Sequence, residues 1–291
     1  MQEAVLEKLR PVKVRFDHLY NQEDPREYFE TLQKLEYSTP QFAKPVFRRC
    51  IEALKEIRDR EEITVVDVCC GYGVNSALVN HRVDLDDLYQ RYTEGPVAAA
   101  TAAAVTEQDR DYFSEHKRPG IRSRIYGIDV ADNALSYAAE ANLLEEGFAQ
   151  NLEDDAPDDA LASVLEQADL ITVTGGMSYI GEATFTRLLE SSNPEARPWF
   201  VCYPLRVTDF EPVCEVFREF ELKAETWDED TFPHRRFVNA EEMRKVLGQL
   251  EDNGLDPTGK EATGYFHAEL HVARPAAEAA AVPLRNLVDS K

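Results

Sequence analysis

Long apolar runs are missing from this chain. Nowhere do about 18 or more apolar residues follow one another, so no membrane partner is expected. The opening stretch MQEAVLEKLRPVKVRF spreads its charges and lacks the apolar segment of a secretory signal. Cysteine is sparse, five residues of which two are adjacent, and an odd number in a chain of this size argues against a disulfide framework. A reducing, cytoplasmic setting is the expectation. Basic residues are also scarce: 32 Lys and Arg face 55 Asp and Glu, a formal net charge of −23. Such a surface repels phosphate backbones, so nucleic acid is not an expected partner. No internal repeat is evident.

What is present suits a globular enzyme-sized fold. The 291 residues, 43% of them hydrophobic, can bury a sizeable core in one large domain or one domain with additions. Residues 1–60 read as a helical N-terminal cap, built from EAVLEKLR, DPREYFETLQKL and STPQFAKPVFRRCIEALKEIRDR. Asp24 with Pro25, and Ser38 or Thr39, are placed to start the last two helices. From Ile63 the pattern changes to a β-branched run, ITVVDV, as expected of a strand buried on both faces of a parallel sheet. RIYGID, a helix over 132–146, DLITVT, a helix near 182–190, PWFVCYP, FELKAETW, the helix NAEEMRKVLGQLEDNG and the strand YFHAELHVARP continue the alternation. This order predicts an α/β sheet with helices on both faces. About 81–123 form a helical insertion, expected to serve stability or association away from the ligand end, and a candidate homodimer surface. Residues 276–291 read as a flexible tail.

The stretch ITVVDVCCGYGVNSALV places a strand, a turn with Gly71 and Gly73, and a helix start in succession. In an open α/β sheet, ligands bind beyond the carboxyl ends of the strands. Taken alone, GYGVNS is a loose match to a dinucleotide turn. Asp67 argues against a pyrophosphate there, since like charges at 4 Å repel by about 1–4 kcal/mol in a surface-like dielectric. A ligand carrying an ammonium or sulfonium would be attracted instead. Asp129 ends the second strand where a carboxylate accepts hydrogen bonds from both hydroxyls of a ribose. Its neighbour Val130 belongs to the same turn. Asn151, with Leu152 as a packing face, or an acidic neighbour, suits an adenine.

In this order VVDVCCGYG, IYGIDVADNAL and DLITVTGGMSYIG resemble the first three signatures of class I S-adenosylmethionine-dependent methyltransferases, over about 60–275. Cys69 stands where that pattern carries its first glycine. The resemblance implies a Rossmann-like seven-stranded mixed sheet, with the helical cap and insertion as additions. It implies S-adenosyl-L-methionine as cofactor, held by Asp67, Cys69, Gly71 and Gly73 at its methionine end, Asp129 and Val130 at the ribose, and Asn151 and Leu152 at the adenine. Thr174 and Gly175 would close over the cofactor amine and face the methyl. The implied activity is methyl transfer to a small-molecule acceptor by in-line displacement. A catalytically silent cofactor-binding protein and a nucleotide-dependent oxidoreductase are the alternatives. Tyr179, His18 and His234 are the candidate catalytic residues. Met177, Ser178, Tyr179, Tyr203, Arg206 and Arg235 are the candidate acceptor contacts, Arg235 as a clamp for a carboxylate. An aromatic group, Phe16, Tyr20, Tyr28, Phe29 and Tyr37, suits a lid. No metal is expected: Cys69 and Cys70 lack a C-x-x-C spacing, and His267 with His271, expected on one face of a strand, lack further ligands.

Overall fold

A computed structural model of the protein describes residues 17–120 and 123–288. The helix expected over EAVLEKLR, and Phe16, lie outside the described residues. The helices are α1 (Arg26–Lys34), α2 (Thr39–Ile57), α3 (Val74–Asn80), α4 (Leu85–Thr93), α5 (Ala102–His116), α6 (Asp132–Glu140), α7 (Asp159–Glu166), α8 (Glu182–Glu190), α9 (Glu211–Glu219), α10 (Ala240–Asp252) and α11 (Ala276–Ala281). The strands are β1 (Ile63–Val68), β2 (Ser123–Asp129), β3 (Glu146–Ala149), β4 (Leu170–Val173), β5 (Trp199–Cys202), β6 (Leu222–Thr226), β7 (Phe232–Arg236), β8 (Tyr265–Ala268) and β9 (His271–Pro275).

The fold is a Rossmann-like seven-stranded mixed sheet with helices on both faces, in the order β3-β2-β1-β4-β5-β9-β6. Strands β1 to β5 run parallel, and β9 runs antiparallel between β5 and β6. Period-two alternation divides the core between the two faces. Val65, Leu170, Trp199 and Val201 face one cluster, while Val66, Val68, Ile171, Val173 and Phe200 face the other. Burial on both sides is why β1 reads as an unbroken apolar run. Strand order reverses between β1 and β4, and the crevice opens there at the carboxyl ends. No helix among the described residues is long and apolar enough to cross a membrane.

Four readings of the sequence differ from the structure. YFHAELHVARP is two strands: the chain breaks at Glu269–Leu270, where Glu269 N donates to Pro204 O, and β8 pairs with β7 in a separate ribbon. His267 and His271 therefore sit on different strands, His267 beside Thr231 Oγ1 and His271 beside Thr226 Oγ1. Arg235, expected as a carboxylate clamp, and His234, expected as catalytic, lie within β7 and are buried. The helix after β2 stops at Glu140, because Asn142 turns left-handed at φ 57° and releases the chain toward β3. Residues 276–288 are docked: Glu278 accepts from Arg58 at 3.0 and 3.1 Å and from Trp199 Nε1 at 2.5 Å, and Leu287 is buried.

The cap and the insertion form one layer. Ser38 Oγ donates to Pro233 O, and Thr39 Oγ1 meets His234 Nδ1 at 2.7 Å, so the start of α2 is fastened to β7. Phe29 stacks on Tyr92 of α4 at 4.5 Å, and Tyr89 Oη donates to Tyr37 O at 2.7 Å. The insertion thus braces α1 and Tyr37 from behind.

Candidate functional site

Beyond the ends of β1, β2, β3 and β4 lies a cavity of about 410 Å³, within the range of ~300–1,000 Å³ usual for small-molecule sites. The turn after β1 forms its floor. Cys69, Gly71 and Gly73 all take positive φ, at 56°, 50° and 74°. Left-handed backbone costs a residue with a Cβ about 1–2 kcal/mol, which is the physical reason a glycine would be favoured at Cys69. Gly71 is closed over by Tyr20, whose ring carbon lies 3.6 Å from where a Cβ would stand.

The β4 turn approaches from the other side. A Cβ on Gly176 would stand 2.2 Å from Cys69 Cβ and 2.3 Å from its Sγ, and one on Gly175 would stand 2.9 Å from Tyr37 Oη. We expect Gly176→Ala to destabilise the fold by about 1–3 kcal/mol, the usual cost of overpacking a site that cannot yield. Adding Cys69→Gly should restore most of that loss by removing both the collision and the left-handed strain. A urea-unfolding double-mutant cycle reads the coupling, and strictly additive effects would contradict this geometry.

Asp129 is the one charged side chain among the described residues lining the cavity. Its Oδ2 accepts from Gly71 N at 2.8 Å and its Oδ1 from Ala131 N at 3.1 Å, tying the β1 and β2 turns together. Burial raises its pKa above the usual carboxylate range, and the backbone donors oppose that rise. Each oxygen keeps a further acceptor direction.

Asp67 lies one layer deeper than its place in the motif suggests. It is 1% exposed and does not line this cavity; its Oδ1 accepts from Thr172 Oγ1 at 2.6 Å, and both oxygens accept from Asn75 Nδ2. The same Asn75 Nδ2 reaches Thr174 Oγ1 at 3.1 Å, so Asp67 orients Asn75. Asn75 Oδ1 is buried with no hydrogen-bond partner among the described residues, and Asn75 lines the cavity. A buried acceptor of this kind calls for a donor.

Burial pushes Asp67 up to about 7, against the opposing hydrogen bonds of Thr172 and Asn75. A carboxyl raised in the folded state holds its proton longer there than in the unfolded chain. Its contribution to stability is therefore full below about pH 4 and is lost as pH rises through about 7. Asp67→Asn should remove that decline, so the variant gains on the wild type between these limits. Urea midpoints measured across this window check it, and parallel curves would contradict the shift.

Of the residues singled out from the sequence, Cys69, Gly71, Asp129, Val130, Asn151, Leu152, Thr174, Gly175 and Tyr179 line the cavity. Gly73 packs instead against Ala138 and Leu143. Met177 joins the apolar cluster behind the β4 turn, and Ser178 does not line the cavity. His18 is exposed on a 3-10 turn, and buried His234 packs edge-on to Tyr37; neither lines the cavity. Tyr203 is fully buried between Phe47 and Phe232. Arg206 is buried against Glu261, and Arg235 against Glu242, so no carboxylate clamp faces the cavity. Asn75, Tyr72, Gln150 and Thr184 were not singled out, although they line it. Asn75 and Thr184 depend on which helix face meets the turn, and Tyr72 and Gln150 on how the loops after β1 and β3 fold, neither of which the motif spacing conveys. The Asn151 side chain is committed to its own turn, donating to Asp154 Oδ2 and accepting from Glu153 N.

No family model and no curated protein matches the sequence. Solved structures do. One is a plantazolicin methyltransferase holding a triazolic desmethyl analogue and S-adenosylhomocysteine (12% identity, 85% of this chain and 89% of that one, TM-score 0.43). Another is magnesium protoporphyrin IX methyltransferase from Synechocystis with bound S-adenosylmethionine (10% identity, 79% and 80%, TM-score 0.36). The cyclase SpnF is a third (12% identity, 78% and 80%, TM-score 0.37).

Proposed function

We propose that this chain transfers a methyl group from S-adenosyl-L-methionine to a small-molecule acceptor. What supports it is the geometry of the cavity rather than the distant likenesses. One observation carries it: Asp129, a carboxylate, and Asn75, whose amide oxygen has no partner among the described residues, border the same cavity at the switch point of the sheet. Asp129 suits the two hydroxyls of a ribose, and Asn75 Oδ1 suits the ammonium of an amino-acid tail. Leu152 and Asn151 border the β3 side, where the base would rest. A nucleoside with a cationic tail satisfies all three; a pyrophosphate satisfies none of the first two.

When bound, the cofactor supplies an electrophilic methyl on a sulfonium. The protein's task is then positioning and exclusion of water. Thr174 and Gly175 border the cavity on the β4 side, Tyr20 covers the glycine turn, and Tyr37 is held against Thr174. No His, Lys or Glu lines the cavity among the described residues. That absence favours an acceptor needing no base, and it is also the one feature that favours the silent-binding alternative. A cytoplasmic setting belongs to the same proposal.

Calorimetric titration with S-adenosylmethionine, S-adenosylhomocysteine and NADH tests the cofactor. Saturable binding of the first two but not the third is expected; the reverse pattern would favour the oxidoreductase. Transfer of labelled methyl to an added acceptor separates an enzyme from a silent binder.

A further inference from the structure

Beyond β4 the cavity is walled by Tyr20, Tyr28 and Tyr37 from the cap and by Tyr179 from the β4 turn. The rings of Tyr20 and Tyr28 meet edge-on at 5.4 Å. From this wall, together with the charges that the lining lacks, we infer that the acceptor is a small amine, methylated on nitrogen. The inference rests on the methyl-transfer reading and names its substrate class.

Charge excludes the anionic acceptors. No Lys, Arg or His lines the cavity among the described residues, and its one charged side chain is the carboxylate of Asp129. The arginines that the sequence offered as acceptor contacts are engaged elsewhere, Arg235 with Glu242 at 2.8 Å and Arg206 with Glu261 at 2.5 Å. The cofactor's carboxylate travels with its own ammonium, whereas an acceptor carboxylate or phosphate would lose its water with no cationic side chain to replace it.

Proton bookkeeping excludes the phenols and alcohols. Their oxygen becomes a good nucleophile only as a proton leaves, which needs a base within hydrogen-bond reach. Burial pushes Tyr20, Tyr28 and Tyr37 above the usual tyrosine range, so they stay protonated. The hydroxyls present rings and donors, not bases.

An amine meets both conditions. It reacts through a neutral lone pair: the N–C bond forms, the C–S bond breaks, and its electron pair stays on sulfur. A tertiary amine yields a quaternary ammonium with no proton to remove. A primary or secondary amine yields an ammonium that gives its proton to solvent after leaving. The positive charge moves from sulfur to nitrogen in a cavity lined by tyrosine rings, whose quadrupole attracts cations. Amines circulate mostly as ammonium ions, which a protein of net charge −23 draws in, and an ammonium, far more acidic than an alcohol, gives its proton to solvent before it enters. Desolvation between the rings then favours the neutral, reactive form.

The test uses the full-length protein saturated with S-adenosylhomocysteine and three probes of one skeleton: benzyltrimethylammonium, phenylacetate and 4-methylphenol. The cation should bind at least about tenfold tighter than either of the others, within the range of cation–π contacts in a desolvated site. Tyr179 is 37% exposed, so the fold tolerates its loss. Tyr179→Leu should weaken the cation at least about threefold, with S-adenosylhomocysteine still saturating, and Tyr179→Phe should keep it. Phenylacetate or 4-methylphenol binding as tightly, or no binding of the cation, overturns the amine assignment. So does preferential methylation of benzyl methyl sulfide over N,N-dimethylbenzylamine. Failure of S-adenosylhomocysteine itself to bind removes the methyl-transfer reading, and this inference with it.

Discussion

Asp129→Ala should weaken S-adenosylhomocysteine binding by about 2–4 kcal/mol, some 30- to 1,000-fold, with two charge-assisted hydrogen bonds lost. The same carboxylate also holds Gly71 N and Ala131 N, so the alanine variant loosens the floor of the cavity as well as the ribose contact. Asp129→Asn separates the two. It keeps the volume and one acceptor oxygen but sets an NH2 against Gly71 N or Ala131 N, so its melting temperature should fall less than that of the alanine variant while affinity falls as far. The pH dependence has a definite sign. Burial raises the Asp129 pKa, so affinity should begin to fall, on acidification, above the pH at which an ordinary carboxylate protonates. Wild-type affinity in either variant would remove Asp129 from the site.

Glu242→Ala should destabilise the fold by about 3–5 kcal/mol, because it strands a buried guanidinium. Arg235 and Glu242 are each 1% exposed and joined by two hydrogen bonds of 2.8 and 3.0 Å. Glu242 also accepts from Val238 N, closing the start of α10, and Arg235 lies over the Phe266 ring at 4.7 Å. In a chain of this size the loss corresponds to a melting temperature lower by roughly 6–20 °C. The double variant Arg235→Met/Glu242→Leu should recover most of it, since a buried pair adds little over an apolar pair of similar volume. If Arg235 instead clamped a substrate carboxylate, Arg235→Met would change acceptor binding and leave stability nearly untouched.

The contrast between Asp129 and Arg235 shows which residues can be read from a sequence. Asp129 ends a strand in a motif of fixed spacing, and the period of the strand dictates where its side chain emerges. Cys69, Gly71, Leu152 and Thr174 reach the cavity for the same reason: each sits within three residues of a strand end. Arg235 and Arg206 have partners on other elements: Glu242 on α10, seven positions on, and Glu261 ahead of β8, 55 positions on. A basic cluster in an acidic protein looks like an anion site until its own carboxylates are located. Asp67 is intermediate: the motif places it at the end of β1, but which face it takes is settled by Thr172 and Asn75, and they hold it beneath the floor.

Local sequence was enough for the alternation of strands and helices, the buried parallel strands and the turn after β1, because hydrophobic period and glycine placement act over a few residues. It was also enough for the carboxylate at the end of β2. Only the tertiary structure decided the rest. It divided the last apolar stretch into β8 and β9, docked the final helix through Glu278, and set the insertion behind the cap. It gathered Tyr20, Tyr28 and Tyr37 with Tyr179 around one cavity while pairing Arg206 and Arg235 with buried glutamates. The docking of the final helix, for one, depends on Arg58 meeting Glu278 across 220 positions, and no local pattern carries information over such a distance.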